Sequence, residues 1–139
     1  MSHTATFIID LEPVSASRPR VGKFGTYYDA KYKAWLSMAP VVVKHRTRGV
    51  EPFTGPVAVS IDVVCSRPKT TKLTAPKPDV DNYSKGVLDA ITHAGLWTDD
   101  SLVVDMRVRK AWARKGEEGF VRVRIEETLG GSWVDCLGE

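Results

Sequence analysis

The sequence has few of the residues that disulfide frameworks and zinc sites require. Its 139 residues include two cysteines, Cys65 and Cys136, and three histidines that are far apart along the chain. Two isolated cysteines form neither a disulfide framework nor a paired zinc motif. Such a composition is typical of proteins in reducing compartments, so we expect an intracellular, cytoplasmic protein.

Long apolar segments are also missing. No apolar run approaches the roughly 20 residues that a membrane span requires, so we expect no membrane association. The first residues, MSHTATFIIDLEP, lack the basic start and the small-residue cleavage site of a secretory signal. Apolar residues make up 42% of the chain and charged residues 27%, which is typical of a soluble globular domain. We therefore expect one domain over residues 1–139, with its core at 5–126 and a tail at 127–139.

The formal net charge of +3 is distributed unevenly along the chain. Basic residues are frequent on both sides of one acidic segment, residues 79–100. Those before it include Arg18, Arg20, Lys23, Arg67, Lys69, Lys72 and Lys77, and those after it include Arg107, Arg109, Lys110, Arg114 and Lys115. Basic residues around an acidic segment suggest a polyanionic partner that is brought to a metal centre.

Period-two alternation and an abundance of β-branched residues predict four strands. The predicted strands lie at 5–11, 56–66, 102–112 and 120–127. The last two, separated by the turn sequence GEEG, are expected to form a hairpin.

Helical spacing of apolar residues predicts two helices. The first covers 29–46 and is expected to kink at Pro40 or to end near Met38, because proline removes one backbone donor. The second begins at Asp81 and stops at Gly95. The order β-α-β-α-β-β predicts an α+β fold, a mixed β-sheet with both helices on one face.

The segment KPDVDNYSKGVLDAITHAGLWTDD, from Lys77 to Asp100, has acidic residues at both ends of its predicted helix. In a purely structural interpretation, Asp81 caps this helix and Lys85 pairs with it across one turn. The second interpretation is a divalent-metal site, because Mg²⁺ prefers carboxylates, water and substrate phosphate. No Cys/His cluster competes for a softer metal. Composition and spacing leave both interpretations open.

The same segment resembles the signature region of the RusA family, small metal-dependent endonucleases of bacteria and their phages. The family pattern is Pro-Asp-x-Asp-Asn, then Lys, then Leu-Asp-Ala, a Gly-aromatic turn, an Asp-Asp pair and a hydrophobic strand. The matching residues are Pro78, Asp79, Asp81, Asn82, Lys85, Leu88, Asp89, Ala90, Gly95, Trp97, Asp99 and Asp100. The basic segment SASRPRVGKFGTYYDAKYKAW is similar to the family's N-terminal segment, and the resemblance covers residues 5–126.

The resemblance implies a Mg²⁺-dependent endodeoxyribonuclease of DNA recombination and repair, with Mn²⁺ as a substitute metal. Such an enzyme resolves Holliday junctions by paired symmetric nicks. It acts in the bacterial cell, and its gene can be encoded by a phage or prophage. The resemblance implies that Asp79, Asp81 and Asp100 are catalytic, metal-binding carboxylates. It implies that Asp99 is a supporting metal ligand and that Lys85 is a catalytic cation.

The predicted helix places Asp81 and Asp100 far apart. Fourteen residues rise roughly 20 Å, whereas the residues that follow, 95–100, reach at most about 17 Å when fully extended. Either this segment runs back along the helix, or Asp100 completes a site in a second subunit. An intertwined homodimer, which suits the two-fold symmetry of a four-way junction, allows the second arrangement. Asp89, one turn beyond Lys85, can pair with that lysine and hold it in place.

Basic residues are expected to contact the phosphates of branched DNA, above all a four-way junction. The candidates are Arg18, Arg20, Lys23, Arg67, Lys69, Lys72 and Lys77. Among the aromatic residues, Trp35 is expected in the core, and Trp97 and Trp112 are expected to pack rather than to wedge between bases.

Two alternatives to a junction resolvase stay open. One is a nuclease for other branched DNA, such as flaps or forks. The other is a non-catalytic DNA-binding or phage structural protein that retains the fold. The intact set of Asp79, Asp81, Lys85 and Asp100 argues against the second alternative, because a degraded site is expected to have lost at least one of them.

Overall fold

A computed structural model describes residues 3–16, 20–22, 25–27, 30–129 and 131–137, with 20–22 and 25–27 described by their backbone. The strands are β1 (Thr4–Ile9), β2 (Arg20–Gly22), β3 (Gly25–Tyr27), β4 (Val57–Cys65), β5 (Val103–Trp112) and β6 (Phe120–Glu127). The helices are α1 (Ala30–Arg46) and α2 (Val80–Ala94), with short 3₁₀ turns at Asp100–Leu102 and Gly131–Cys136.

The α+β class, with a mixed four-stranded sheet and two helices, is confirmed. The chain order differs from the predicted one, because β2 and β3 form a separate antiparallel pair between β1 and α1. Each of these strands has three residues, which is too short for an alternating pattern to be recognised in the sequence.

The main sheet has the strand order β1-β6-β4-β5, so the predicted hairpin of the last two strands is wrong. Strand β4 lies between them, parallel to β5 and antiparallel to β6. The reason is that β4, α2 and β5 form a crossover unit, which places β5 parallel to β4 on one side. Strand β6 then occupies the other side of β4, and β1 pairs antiparallel with β6.

Both helices cover one face of the sheet. The side chains of β4 and β6 that face them are buried, and these four among them are no more than 1% exposed: Ile61, Val63, Val123 and Ile125. Burial of one such side chain stabilises the fold by about 1.5–3 kcal/mol. Trp35 and Trp97 belong to the same core and Trp112 packs against it, as predicted.

Helix α1 continues through Pro40 to Arg46, so the predicted end near Met38 is wrong. Tyr32, Trp35, Ala39 and Val43 are buried along one stripe of the helix, on both sides of the proline. Proline in a helix interior costs on the order of 3 kcal/mol, because it removes one backbone hydrogen bond and its ring clashes with the preceding turn. Burial of the stripe offsets that cost, and sequence propensity does not include this tertiary term.

Helix α2 begins at Val80, one residue before the predicted start, and its N-cap is Asp79 rather than Asp81. Asp79 has extended backbone angles, and its side chain makes no capping hydrogen bond. Midway along α2, an added Cβ on Gly86 would lie 3.2 Å from Tyr32 and 3.5 Å from Trp35, so a small residue lets the two helices approach closely. At the C-terminal end, Gly95 has a φ of 81° and its backbone N–H donates to the carbonyls of α2, as the sequence predicts for a helix stop.

We predict that Gly95→Ala lowers the free energy of unfolding by about 1 kcal/mol, because an L side chain is strained in the left-handed region. The thermal midpoint should fall by about 3–5 °C for a chain of this size. Gly55→Ala is the matched control, because that glycine has open space around its Cβ position and no positive φ. An equal midpoint for the two variants would contradict the role of Gly95 as the helix terminator.

Candidate active site

The acidic residues and the lysine of the signature segment follow one side of α2. Asp79 caps the helix and Asp81 lies in its first turn, both exposed to solvent. Lys85 and Asp89 follow at intervals of four residues, which brings them to the same side of the helix one turn apart. Lys85 is exposed and Asp89 is half-buried.

Asp89 is held by helix α1 rather than by Lys85. One carboxylate oxygen of Asp89 accepts a hydrogen bond of 3.0 Å from the hydroxyl group of Tyr32. No ion pair between Lys85 and Asp89 is found among the described residues, so the predicted pairing is wrong for this structure. The two side chains instead line a small concavity of about 170 Å³ together with Tyr32, Lys33 and Leu36. Lys85 therefore keeps its ammonium group at the surface, where an incoming phosphate can meet it.

Asp99 and Asp100 are positioned by a turn that the core anchors. Trp97 is 1% exposed, and its indole nitrogen donates a hydrogen bond of 2.7 Å to the hydroxyl group of Thr92. The backbone nitrogen of Phe53 donates to the carbonyl of Leu96 at 2.8 Å. These contacts fix the chain just before the acidic pair.

The acidic pair returns to α2 beside Asp89. Partial burial, followed by the charges of Asp99 and Asp89 and a hydrogen bond with Asp99, raises the pKa of Asp100 above its ordinary value. Residues 95–100 thus bring Asp100 within electrostatic range of Asp89, which lies in the third turn of the helix. Asp81 lies eight residues before Asp89, which corresponds to about 12 Å along the helix axis.

Within one chain, the acidic residues therefore form two separate pairs. Asp79 and Asp81 lie at the N-terminal end of α2, and Asp99 and Asp100 lie near its C-terminal half. Among the residues that the structure describes, no group of three or more His, Cys, Asp or Glu side chains is arranged to hold a metal ion. The donors are all carboxylates, which fits Mg²⁺ or Mn²⁺, but a single chain does not bring them together.

The loop that leads to Asp79 is tied to strand β5. The ammonium group of Lys110 donates a hydrogen bond of 2.8 Å to the carbonyl of Pro78. The indole nitrogen of Trp112 donates one of 3.0 Å to the carbonyl of Leu73. The N-terminal end of α2 is thereby held near the C-terminal end of β5.

Two of the predicted DNA contacts, Arg67 and Lys69, line a concavity of about 840 Å³. Arg114 and Lys115 lie on its other side, in the loop after β5. This cluster of four cations lies where the parallel strands β4 and β5 both end, so loops that are distant in sequence meet there. A polyanion is the partner that such a concavity favours.

The remaining predicted DNA contacts are not part of that cluster. Lys72 and Lys77 are exposed on the same loop as Lys69. Arg20 belongs to β2, which the structure describes by its backbone. Arg18 and Lys23 lie outside the described residues.

The structure has a second basic surface, which the predicted DNA contacts do not include. Arg107 and Arg109 of β5 and Arg122 and Arg124 of β6 share one face of the sheet, opposite the helices. The alternating sequences MRVRK and VRVRI carry the signal, because every second residue of a strand points to the same face. We call these four residues the arginine face.

Comparison with known proteins identifies the family. The chain matches the family model of the endodeoxyribonuclease RusA over residues 10–126. It is 37% identical over 140 residues to the uncharacterized protein YqaN of Bacillus subtilis strain 168, an alignment that covers 87% of this chain and 94% of that protein. Over 69 residues it is 43% identical to the crossover junction endodeoxyribonuclease RusA of Escherichia coli O139:H28 and 41% identical to that of strain K12. These two alignments span 50% of this chain and 52% of each enzyme. The chain belongs to the RusA endodeoxyribonuclease family.

No helix in the described part of the chain is long and apolar enough to cross a membrane.

The raised pKa of Asp100 predicts a pH-dependent effect of Asp100→Asn on stability. A carboxyl group whose pKa is raised by folding adds stability below its ordinary value of 3.8, and this contribution is lost as pH rises through the raised value. At pH 7 without divalent metal, the asparagine variant should therefore melt about 1–3 °C above the wild type. The difference should disappear at low pH, where the wild-type carboxyl group is protonated.

The measurement is thermal unfolding in a metal chelator at several pH values. Asp105→Asn is the matched control, because this exposed carboxylate lies on the opposite face of the sheet. A lower midpoint for Asp100→Asn than for wild type at pH 7 would show that the acidic pair does not destabilise the fold.

Proposed function

We propose that this protein is a Mg²⁺-dependent, structure-specific endodeoxyribonuclease that resolves four-way DNA junctions by paired nicks, with Mn²⁺ as a substitute metal. One observation carries the proposal: a member of the RusA family retains Asp79, Asp81, Lys85, Asp99 and Asp100 on and after one surface helix. The exposed carboxylates match the ligands that Mg²⁺ prefers. The basic concavity at the ends of β4 and β5 suits a DNA backbone.

Each residue has a role in phosphodiester hydrolysis. The carboxylates of Asp79, Asp81 and Asp100 would hold the metal, with Asp99 in support. The bound ion would supply charge neutralisation and water activation. Lys85, a compact charge one turn from Asp81, would stabilise the negative charge that develops on the phosphate oxygens in the transition state.

We further propose that a complete metal site needs two copies of the chain. Helix α2 runs antiparallel to β5, because Pro78 contacts Lys110 near the end of β5 and Asp100 lies three residues before its start. In a two-fold dimer joined along β5, the two α2 helices would lie antiparallel beside each other. Asp79 and Asp81 of one copy would then meet Asp99 and Asp100 of the other.

Strand β5 has the properties of such an interface. It is an edge strand of the main sheet, paired with β4 along one side. An edge strand is a template for pairing with another chain. Val104, at a bulge, and Met106, on the helix-covered face, are 43% and 42% exposed, although both are apolar. A second copy paired along β5 would cover them.

The substitutions Asp81→Asn and Asp100→Asn should each lower junction cleavage in Mg²⁺ by at least about 100-fold, because each removes a ligand of the ion that would neutralise charge in the transition state. Junction binding should be largely retained. Cleavage and gel-shift assays measure the two effects, and Glu51→Gln, an exposed carboxylate in the loop after α1, is the matched control. Cleavage at the wild-type rate by either variant would rule out the metal site.

Refolding the two inactive variants together tests the shared site. A mixed dimer would contain one site with both substitutions and one with none, so activity should return to about a quarter of the wild-type value at equal mixing. The products should be singly nicked junctions rather than resolved duplexes. Absence of any recovery, with mixed dimers demonstrated by mass spectrometry, would favour a site within one chain.

Other branched DNA is the second candidate substrate, because the alignment with the E. coli enzymes covers only half of each chain. Flaps and forks also present phosphates near a branch point, which is what the proposed site binds. A cleavage series over junctions, flaps, forks and linear duplex separates these substrates. Equal rates on linear duplex would exclude structure-specific cleavage, and the absence of all cleavage would favour a DNA-binding protein without activity.

A further inference from the structure

The arginine face is built by strand register. Arg124 and Arg107 lie on either side of Ser60, and Arg122 and Arg109 lie on either side of Asp62. Two residues along a strand are about 7 Å apart, and two strand spacings are about 10 Å. The four arginines therefore start from the corners of a rectangle near the centre of the sheet, on the face that the helices leave open.

Internal carboxylates neutralise only part of this array. Asp62 accepts hydrogen bonds from Arg109 at 2.6 and 3.2 Å, and Arg124 contacts Glu126 at 3.4 Å. Arg107 and Arg122 make no ion pair within the described residues. Asp105 lies on the same face, two residues from Arg107 along β5. Four cations and three carboxylates leave an excess of one positive charge above the sheet.

Several arginines of the array act together on Asp62. The hydrogen bond from Arg109 lowers the pKa of Asp62 below its ordinary value, against the opposing effect of burial. The charges of Arg109, Arg122 and Arg107 add to this effect. Three arginines from two strands thus act on one carboxylate between them.

The surface next to the array contains first an apolar concavity and then a basic one. An open concavity of about 440 Å³ extends from Arg109 and Arg122 to apolar side chains. These apolar residues include Ile8, Ala111 and Phe120. Further along, β4 and β5 end at the basic concavity that contains Arg67 and Arg114. Cations alternating with apolar patches match a sugar–phosphate backbone, in which charged phosphates alternate with apolar sugar faces. A neutral or basic protein surface would leave the guanidinium charges uncompensated.

We propose that the arginine face binds the phosphate backbone of a DNA arm that extends away from the branch point. This inference rests on the proposed function, since it takes branched DNA as the substrate. It adds a binding surface on the side of the sheet opposite the acidic residues of α2. The contact is with phosphates, so it contributes affinity and arm placement rather than sequence preference.

The test is the double substitution Arg107→Gln/Arg122→Gln, which removes the two arginines that have no ion pair. Binding to a four-way junction is measured without divalent metal, over a range of salt concentrations. Each lost phosphate contact should reduce the slope of log K against log [salt] by about 0.9 and weaken binding at 0.1 M salt roughly five- to tenfold. Lys44→Gln/Arg48→Gln is the matched control, because it removes the same charge from exposed positions at the end of α1 and just after it. The control should retain the wild-type slope.

Asp62→Asn is a second, opposite test. It removes negative charge from the centre of the array, so junction binding should become several-fold tighter, an outcome that a folding defect cannot produce. Thermal midpoints and sedimentation of all variants are measured in parallel. Weaker or unchanged binding by Asp62→Asn would contradict the proposal, as would a double variant that changes the oligomeric state instead of DNA affinity.

The outcomes also separate this proposal from the proposed function. A wild-type protein that binds and cleaves junctions, with unchanged affinity and salt slope in Arg107→Gln/Arg122→Gln, would overturn the arginine face alone. A wild-type protein that binds no DNA would overturn both.

Discussion

The parallel pairing of β4 with β5 is the constraint on which the rest of the structure depends. Parallel neighbours need a crossover connection, and here that connection is α2, which runs the length of the sheet. The residues before the crossover and those after it must lie at opposite ends of the sheet. Asp79 and Asp100 flank α2, so the topology that builds the core also divides the acidic residues into two pairs. The loops that end β4 and β5 meet for the same reason, which gathers Arg67 and Arg114 around one concavity.

Local patterns were sufficient to predict most of the elements but not their arrangement. Strands β4 and β6 alternate buried and exposed residues along their length, so period two identifies them directly. The sequence could not exclude a hairpin between β5 and β6. A short connection can join two paired strands, and it can equally join two strands that have a third strand between them, as here. The predicted helix end near Met38 was wrong for a related reason. The free-energy cost of Pro40 is local, whereas the burial of Trp35 and Val43 that offsets this cost is a tertiary effect. The shift of the N-cap from Asp81 to Asp79 is a boundary error of two residues.

For the candidate site, sequence reasoning identified the residues but not all of their partners. The spacing of Asp81 and Asp100 already predicted that one helix separates them, and the structure adds that the charge of Asp89 contributes to the raised pKa of Asp100. The contact between Asp89 and Tyr32 joins residues 57 positions apart, and no local pattern predicts it. The arginine face was missed because cations were grouped by proximity along the chain. Grouping them by strand face would have found it, since Arg107, Arg109, Arg122 and Arg124 alternate with apolar residues.

The separation of the two acidic pairs has a consequence for how such a nuclease is controlled. If the pairs meet only between copies, a newly synthesised single chain carries half of each catalytic centre and cannot cut DNA. Activity per chain would then rise with protein concentration and vanish on dilution, before any inhibitor or modification acts. Assembly itself would be the safeguard: strand scission would be restricted to places where two copies have already come together, and both nicks of a symmetric cut would become possible at the same moment.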